Sequence, residues 1–211
     1  MPDLPVPEAG HDIVSSLTLT ILREAGESAY RKLVVDHPTP VATRVLQGVQ
    51  PGQLLNWPIK HEDAAKACLA GLWLWHDALD ESHVISQTLI TNTGSFWHAI
   101  MHRREGDFSN SKYWYNRCGN HHVMRLLGAV ATSLAGKQAS DPLVAQVVGG
   151  EWDPNAFVDL VEKVHRHPSD PRYDVAGRLQ RAEWEALFNY CVIEAVEADV
   201  DRLNEWDSQI H

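Results

Sequence analysis

Two stretches of the chain decide its fold class: CLAGLWLWHDALDESHVISQ at residues 68–87 and SFWHAIMHRRE at residues 95–105. When the first stretch is placed on a helix at about 100° per residue, Trp75 and Leu79 fall on one mostly apolar face. A polar row borders this face directly, and it consists of His76, Asp80, His83 and Gln87. The pattern predicts one uninterrupted helix from about residue 62 to residue 87.

The second stretch repeats this pattern on a shorter helix, with Ser95 as the expected N-cap. Trp97 and Met101 lie on its apolar face. The polar row beside that face is formed by His98, His102 and Glu105. Both helices therefore carry polar side chains at positions i, i+4 and i+7 next to a buried face that begins with a tryptophan.

Because the connection between these helices is short, we expect them to be antiparallel neighbours. Their polar rows would then face each other inside a helical bundle. Counting outward from the connection gives three expected pairs: His83 with His98, Asp80 with His102, and His76 with Glu105.

The rest of the chain also favours helices. They are expected at residues 12–25, 40–48, 109–118, 122–135 and 154–166, after Asp141-Pro142, and from residue 175 to residue 206. The sequence contains neither an alternating β-branched run nor an Asn-Gly or Asp-Gly hairpin turn. We predict an all-α protein, a single-domain helical bundle of about seven to nine helices over residues 11–211, after a flexible Pro-rich tail at residues 1–10.

Charge and cysteine content restrict the class of partner. The 211 residues include 18 Lys+Arg and 28 Asp+Glu, which gives a formal net charge of −10. This balance argues against a nucleic-acid partner and against an anionic membrane surface. Three widely spaced cysteines, the lack of a signal-peptide pattern and the lack of a long apolar run predict a cytoplasmic protein. The sequence leaves the oligomeric state open, a homodimer included.

The facing polar rows predict a metal site. His98 and His102 lie one helical turn apart, within reach of one ion, and the expected ligands are His76, His83, His98 and His102. Imidazole and carboxylate groups suit Zn, Fe, Mn, Cu or Ni, and the residues do not distinguish among these divalent ions. An incomplete ligand set leaves coordination positions at which a small-molecule substrate can bind.

Other residues around the rows are candidates for catalysis and ligand binding. Carboxylates that do not bind the ion can act as general bases, so the catalytic candidates are Asp80, Glu105 and the neighbouring Arg104. The expected ligand-binding residues are Trp75, Trp97, Tyr113, Trp114 and His121, with Trp73 as a further wall of an apolar pocket. The acidic residues of the last helix, Glu183 among them, are expected on a solvated face, with Glu194 as a further candidate carboxylate for the site.

Three alternatives to a metal-dependent enzyme remain open. The His–carboxylate pairs suit proton transfer in a metal-free lyase, isomerase or cyclase. The tryptophans and arginines suit a binding protein for a sugar or an acid. The same rows also suit a hydrogen-bonded network that satisfies buried polar groups without any site.

Residues 96–110, FWHAIMHRREGDFSN, are followed by a Tyr-Trp at Tyr113 and Trp114. This block, together with LWHD at residues 74–77 and DESH at residues 80–83, resembles a family of small bacterial and fungal proteins. The resemblance covers about residues 72–122. The resemblance points to related proteins, but it implies no activity, cofactor or substrate. Such relatives have His-Pro where this chain has His121-His122.

Overall fold

Ten α-helices and no β-strand are present in the computed structural model, which describes Val6, residues 10–26 and residues 29–199. The helices are α1 Ser16–Glu24, α2 Ala42–Leu46, α3 Glu62–Trp75, α4 Leu79–Ser86, α5 Asn92–Glu105, α6 Phe108–Cys118, α7 His122–Ala135, α8 Pro142–Val148, α9 Pro154–Val164 and α10 Pro171–Val196. Nine of them have seven residues or more, and together they form a single helical domain. The predicted all-α class is confirmed.

Capping side chains set several helix boundaries. Asp141 and Asp153 cap α8 and α9 directly before a proline, as predicted. Helix α5 begins at Asn92 rather than after Ser95, because the Thr91 hydroxyl accepts a hydrogen bond from the Gly94 backbone N–H at 2.9 Å. Helix α6 begins before Ser109, because the Asp107 carboxylate accepts one from the Asn110 backbone N–H.

The predicted uninterrupted helix over residues 62–87 is wrong, since the chain breaks between α3 and α4. Asp77 adopts a left-handed conformation with φ of 61°. The backbone N–H of Asp77 donates to Leu74 O, and that of Ala78 donates to Trp73 O. These bonds form a Schellman motif with an aspartate where glycine is usual. The break changes the rotational phase of α4 relative to α3.

Helix α5 lies at the centre of the fold, and its side chains from Thr93 to Arg104 are buried without interruption. It packs against α3, α4 and α6. Helix α10 packs against α3, α7 and α9 on the other side of the core. The last helix begins at Pro171 rather than at residue 175, because Asp170 caps it, and it ends at Val196, because Glu197 adopts a left-handed conformation with φ of 57°. Residues 200–206 of the expected helix lie outside the described residues.

Helices α3, α5 and α10 meet at a cluster of aromatic rings. Trp75 and Trp97 lie with ring centroids 4.5 Å and 6.1 Å from that of Trp184. Gly71 permits this approach, because a Cβ atom there would lie 2.8 Å from Trp97 Cζ2. The Trp184 indole also donates a hydrogen bond to Gly71 O at 2.8 Å.

The start of the chain and the helix lengths complete the description. Val6, in the segment expected to be a tail, is 2% exposed and accepts a hydrogen bond from His11 through its carbonyl. Within the described residues, no helix is long and apolar enough to cross a membrane.

A buried ion pair joins α5 to α10. The Arg103 guanidinium donates to Glu183 Oε2 and to the Tyr115 hydroxyl, both at 2.5 Å, and Tyr115 donates to Glu183 Oε1 at 2.7 Å. Both charged side chains have no exposed area. Burial opposes the charge of Arg103, but Glu183 and Tyr115 raise the pKa of Arg103 above its usual value.

Replacing Arg103 with methionine should lower the free energy of unfolding by about 3–5 kcal/mol, because Glu183 would remain buried without its partner. Urea denaturation measures this loss. The control is Arg44→Ala, which removes an ion pair whose arginine side chain is 65% exposed and should change stability by about 0.5 kcal/mol or less. An Arg103→Met variant as stable as Arg44→Ala would show that the buried pair contributes nothing.

Candidate metal centre

Three histidines from two helices converge at the junction of α4 and α5. His83, His98 and His102 each offer one ring nitrogen, and these three nitrogens lie within 4.8 Å of one another. We call this group the histidine triad. His98 and His102 are buried, whereas His83 is half-buried.

Helix geometry explains how the triad forms. His98 and His102 lie one turn apart on α5, and their rings stack at 4.9 Å with an interplanar angle of 16°. His83 comes from α4, with its ring centroid 4.7 Å from that of His98 and 5.5 Å from that of His102. The predicted pairing of His83 with His98 is therefore confirmed.

Two histidines of the triad are held in the neutral form that binds metal ions. Burial, together with the neighbouring His102 and His83, lowers the pKa of His98 to about 3. Burial also lowers the pKa of His102, although Glu105 acts in the opposite direction. In addition, Nδ1 of His98 is buried and has no hydrogen-bond partner among the described residues. A buried nitrogen without a partner is costly unless a ligand satisfies it.

Three further side chains surround the triad. The ring of His102 places Nδ1 2.9 Å from Glu105 Oε2, so that this nitrogen donates to the carboxylate and Nε2 keeps its lone pair. The Asn110 amide lies against the same ring, with Nδ2 3.1 Å from Nε2. The Trp114 ring stacks on His98 at 3.9 Å and 16°.

Two residues of the expected polar rows lie away from the triad. His76 is fully buried, with Nδ1 3.1 Å from the Thr39 hydroxyl and Nε2 2.9 Å from Ile21 O. Asp80 is exposed in the first turn of α4. The expected pair of His76 with Glu105 does not form, because the break at Asp77 changes the rotational phase of α3 relative to α4. The expected pair of Asp80 with His102 does not form either, because Asp80 is exposed in the first turn of α4 although it shares that helix with His83.

The other candidate residues are divided between the core and the surface. Arg104 is fully buried and donates to Leu74 O, Lys32 O and Asp77 Oδ1, with its guanidinium carbon 4.0 Å from the centre of the Tyr30 ring. Trp75 and Trp97 belong to the aromatic core described above, and Trp73 is half-buried against that core. Among the expected ligand-binding residues, only Trp114 contacts the triad.

Tyr113 and His121 also lie away from the triad. Tyr113 is 53% exposed on α6. His121 caps α7 through Nδ1, which accepts from the Val123 N–H, and its Nε2 lies 3.2 Å from the Thr93 hydroxyl. Burial lowers the pKa of His121 to about 4. Nδ1 thus caps α7, while Nε2 joins α7 to α5 through Thr93.

Two residues were not anticipated from the sequence. Asn110 was not predicted because α6 was expected to begin at Ser109. Asp107 caps the helix instead, and with this earlier start Asn110 lies on α6 in contact with His102. Glu183 was expected on a solvated face but is fully buried opposite Arg103. Helix α10 is buried on most of its circumference, so its sequence carries no clear signal of an exposed face.

A separate cavity of about 410 Å³ lies beside the N-terminal ends of α3 and α5. Glu194 lines this cavity rather than the triad, together with His61 and Thr93. Burial raises the pKa of Glu194, and His61 acts in the opposite direction. The expectation that Glu194 adds a carboxylate to the facing rows is wrong.

Comparison with known proteins gives no match for this chain among family models, curated proteins or solved structures. The function therefore has to be inferred from the site itself.

The free energy of unfolding should fall as the pH decreases from about 6.5 toward 4. In this range the imidazole of residue 98 binds a proton in the unfolded chain, whereas the buried His98 of the folded protein stays neutral. In metal-free protein, His98→Gln should flatten this dependence by about 1.4 kcal/mol per pH unit. Urea denaturation at several pH values above 5, where carboxylates contribute little, measures the slope. The exposed His167→Gln is the matched control. An unchanged slope in His98→Gln would contradict the depressed pKa.

Proposed function

We propose that the protein is a metal-dependent enzyme acting on a small molecule, with the ion held by His83, His98 and His102. The observation that supports this most directly is the convergence of three ligating nitrogens within 4.8 Å, from two helices. Nδ1 of His98, which is buried and has no hydrogen-bond partner among the described residues, is available to a ligand.

The chemistry of the donors favours certain ions. Imidazole nitrogen suits Zn, Cu, Fe and Ni, whereas Mg and Ca prefer oxygen ligands. Three protein ligands leave room for a water molecule or a substrate, as in catalytic zinc sites. A bound ion would act as a Lewis acid and would bring the pKa of a bound water molecule to about 7.

The surrounding residues have roles that fit this proposal. Glu105 accepts the Nδ1 proton of His102 and so leaves Nε2 unprotonated for the ion, which would replace the Asn110 amide at that nitrogen. Trp114 covers one face of His98 and keeps water from it. His83 is half-buried, so the site is approached from the α4 side.

A metal-free enzyme is the second candidate, and the contact between His102 and Glu105 favours it. A carboxylate 2.9 Å from Nδ1 orients the imidazole and strengthens it as a general base. In that case, proton transfer would depend on His102 and Glu105, and His83 would be dispensable.

The proposal extends to the location and the partners of the protein. A cytoplasmic location is supported by the three buried cysteines, Cys68, Cys118 and Cys191, all of which are free thiols. The net charge of −10 supports a small-molecule substrate rather than a nucleic acid.

Metal binding tests the proposal directly. We expect near-stoichiometric metal by elemental analysis in protein purified without a chelator, and loss of this metal in His83→Ala, His98→Ala and His102→Ala. His167→Ala is the matched control and should retain the metal. Full metal content in all three triad variants would overturn the site. If the wild-type protein takes up none of the five candidate metals, the metal-free candidate takes its place.

Cobalt substitution then separates a catalytic site from a structural one. Co(II) in an open site should show visible absorption bands that shift when azide binds and when the pH changes, because a coordination position is free for exchange. Bands that are insensitive to both would indicate a closed, structural ion and would contradict the enzymatic proposal.

A further inference from the structure

One face of α6 packs against the histidine triad. Asn110, Trp114 and Arg117 occupy positions i, i+4 and i+7, which lie on one side of a helix. The first contacts His102 and the second stacks on His98. Arg117 continues the same row one turn farther along α6.

The direction of α6 fixes where Arg117 lies relative to the triad. The contacts between Asn110 and His102, between Ser111 and Ala99, and between Trp114 and His98 show that α5 and α6 run antiparallel. Moving along α6 toward Arg117 therefore means moving along α5 from His102 past His98. Arg117 lies about one helical turn, or about 5 Å, beyond Trp114 on the side away from Glu105.

Aromatic rings hold the Arg117 side chain. Its guanidinium carbon lies 5.4 Å from the centre of the Trp114 ring and 5.8 Å from that of Tyr113. Nη1 also donates to the Tyr113 hydroxyl at 3.4 Å. Within the described part of the chain no ion pair joins Arg117 to a carboxylate, although the net charge of the protein is −10. The exposed Arg117 side chain thus packs against Trp114, which itself contacts the triad, and has donors left for an external acceptor.

We infer that Arg117 binds a carboxylate of the substrate, so that the small molecule on which the enzyme acts is an organic acid. This inference rests on the proposed metal site, because the ion would hold the reacting end of the molecule and Arg117 would hold its acid group. The His98 ring and the Arg117 guanidinium carbon lie 3.9 Å and 5.4 Å from the centre of the same Trp114 ring, a spacing that a short carbon chain can bridge. Trp114, which contacts both His98 and Arg117, would lie alongside the bound molecule.

Two hydroxamates of equal chain length test the inference on the metal-loaded, full-length protein. Succinic monohydroxamate ends in a carboxylate, whereas butyrohydroxamate ends in a methyl group, and both bind an open metal position through the hydroxamate. We expect the carboxylate-bearing probe to bind about tenfold more tightly to the wild-type protein. Arg117→Gln should abolish this preference, and Arg117→Lys should keep part of it, because lysine retains the charge without the fork of donors.

The control is Arg125→Gln, which removes an exposed arginine on α7 and should leave the preference intact. Thermal unfolding of each variant checks that the exposed substitutions preserve the fold. Equal binding of both probes to the wild type, or a preference that survives in Arg117→Gln, would overturn the role of Arg117 and leave the metal site standing. If neither probe binds the metal-loaded protein, the open coordination position fails, and the organic-acid inference fails with it.

Discussion

The buried ion pair between Arg103 and Glu183 is the constraint on which the arrangement of the helices depends. A guanidinium and a carboxylate without exposed area are tolerable only when they meet, because each alone would lose its hydration without compensation. Tyr115 joins the pair from α6, so α5, α6 and α10 are held in one relative position. This position also fixes the rotation of α5 about its axis, and the rotation turns His98 and His102 toward α4 and Trp114.

The helical periodicity of the sequence was enough to predict the all-α class and the contact between His83 and His98. The two helical rows, the short connection between them and the antiparallel register led to the contact between His83 and His98, which the structure confirms. The predicted row fails at His76, because the helix does not continue through Asp77, and at Asp80, because that side chain is exposed in the first turn of α4. An aspartate in a left-handed helix terminus gives a much weaker sequence signal than a glycine, so the change of phase could not be read from the residues.

The remaining errors share a different cause: a pattern within one helix does not show what lies opposite it. Arg103 and Arg104 follow the histidines and suggested a catalytic role for Arg104, but the Nη atoms of both guanidinium groups donate to partners elsewhere in the core. The partner of Arg103 is 80 residues away, on a helix whose own pattern shows no distinct buried face. The contact of Asn110 could not be predicted for a related reason: Asp107 and Ser109 are both suitable N-caps, and the sequence does not show which of them begins α6.

His102, a member of the histidine triad, and Arg103, a member of the buried ion pair, are consecutive residues of α5. Consecutive residues on a helix point about 100° apart, so one side chain faces the triad while the next faces Glu183. Any insertion or deletion between residues 98 and 103 would therefore misalign one set whenever it preserved the other. The spacing between His98, His102 and Arg103 is therefore constrained as strictly as the residue types at these positions, on a helix that is buried from Thr93 to Arg104.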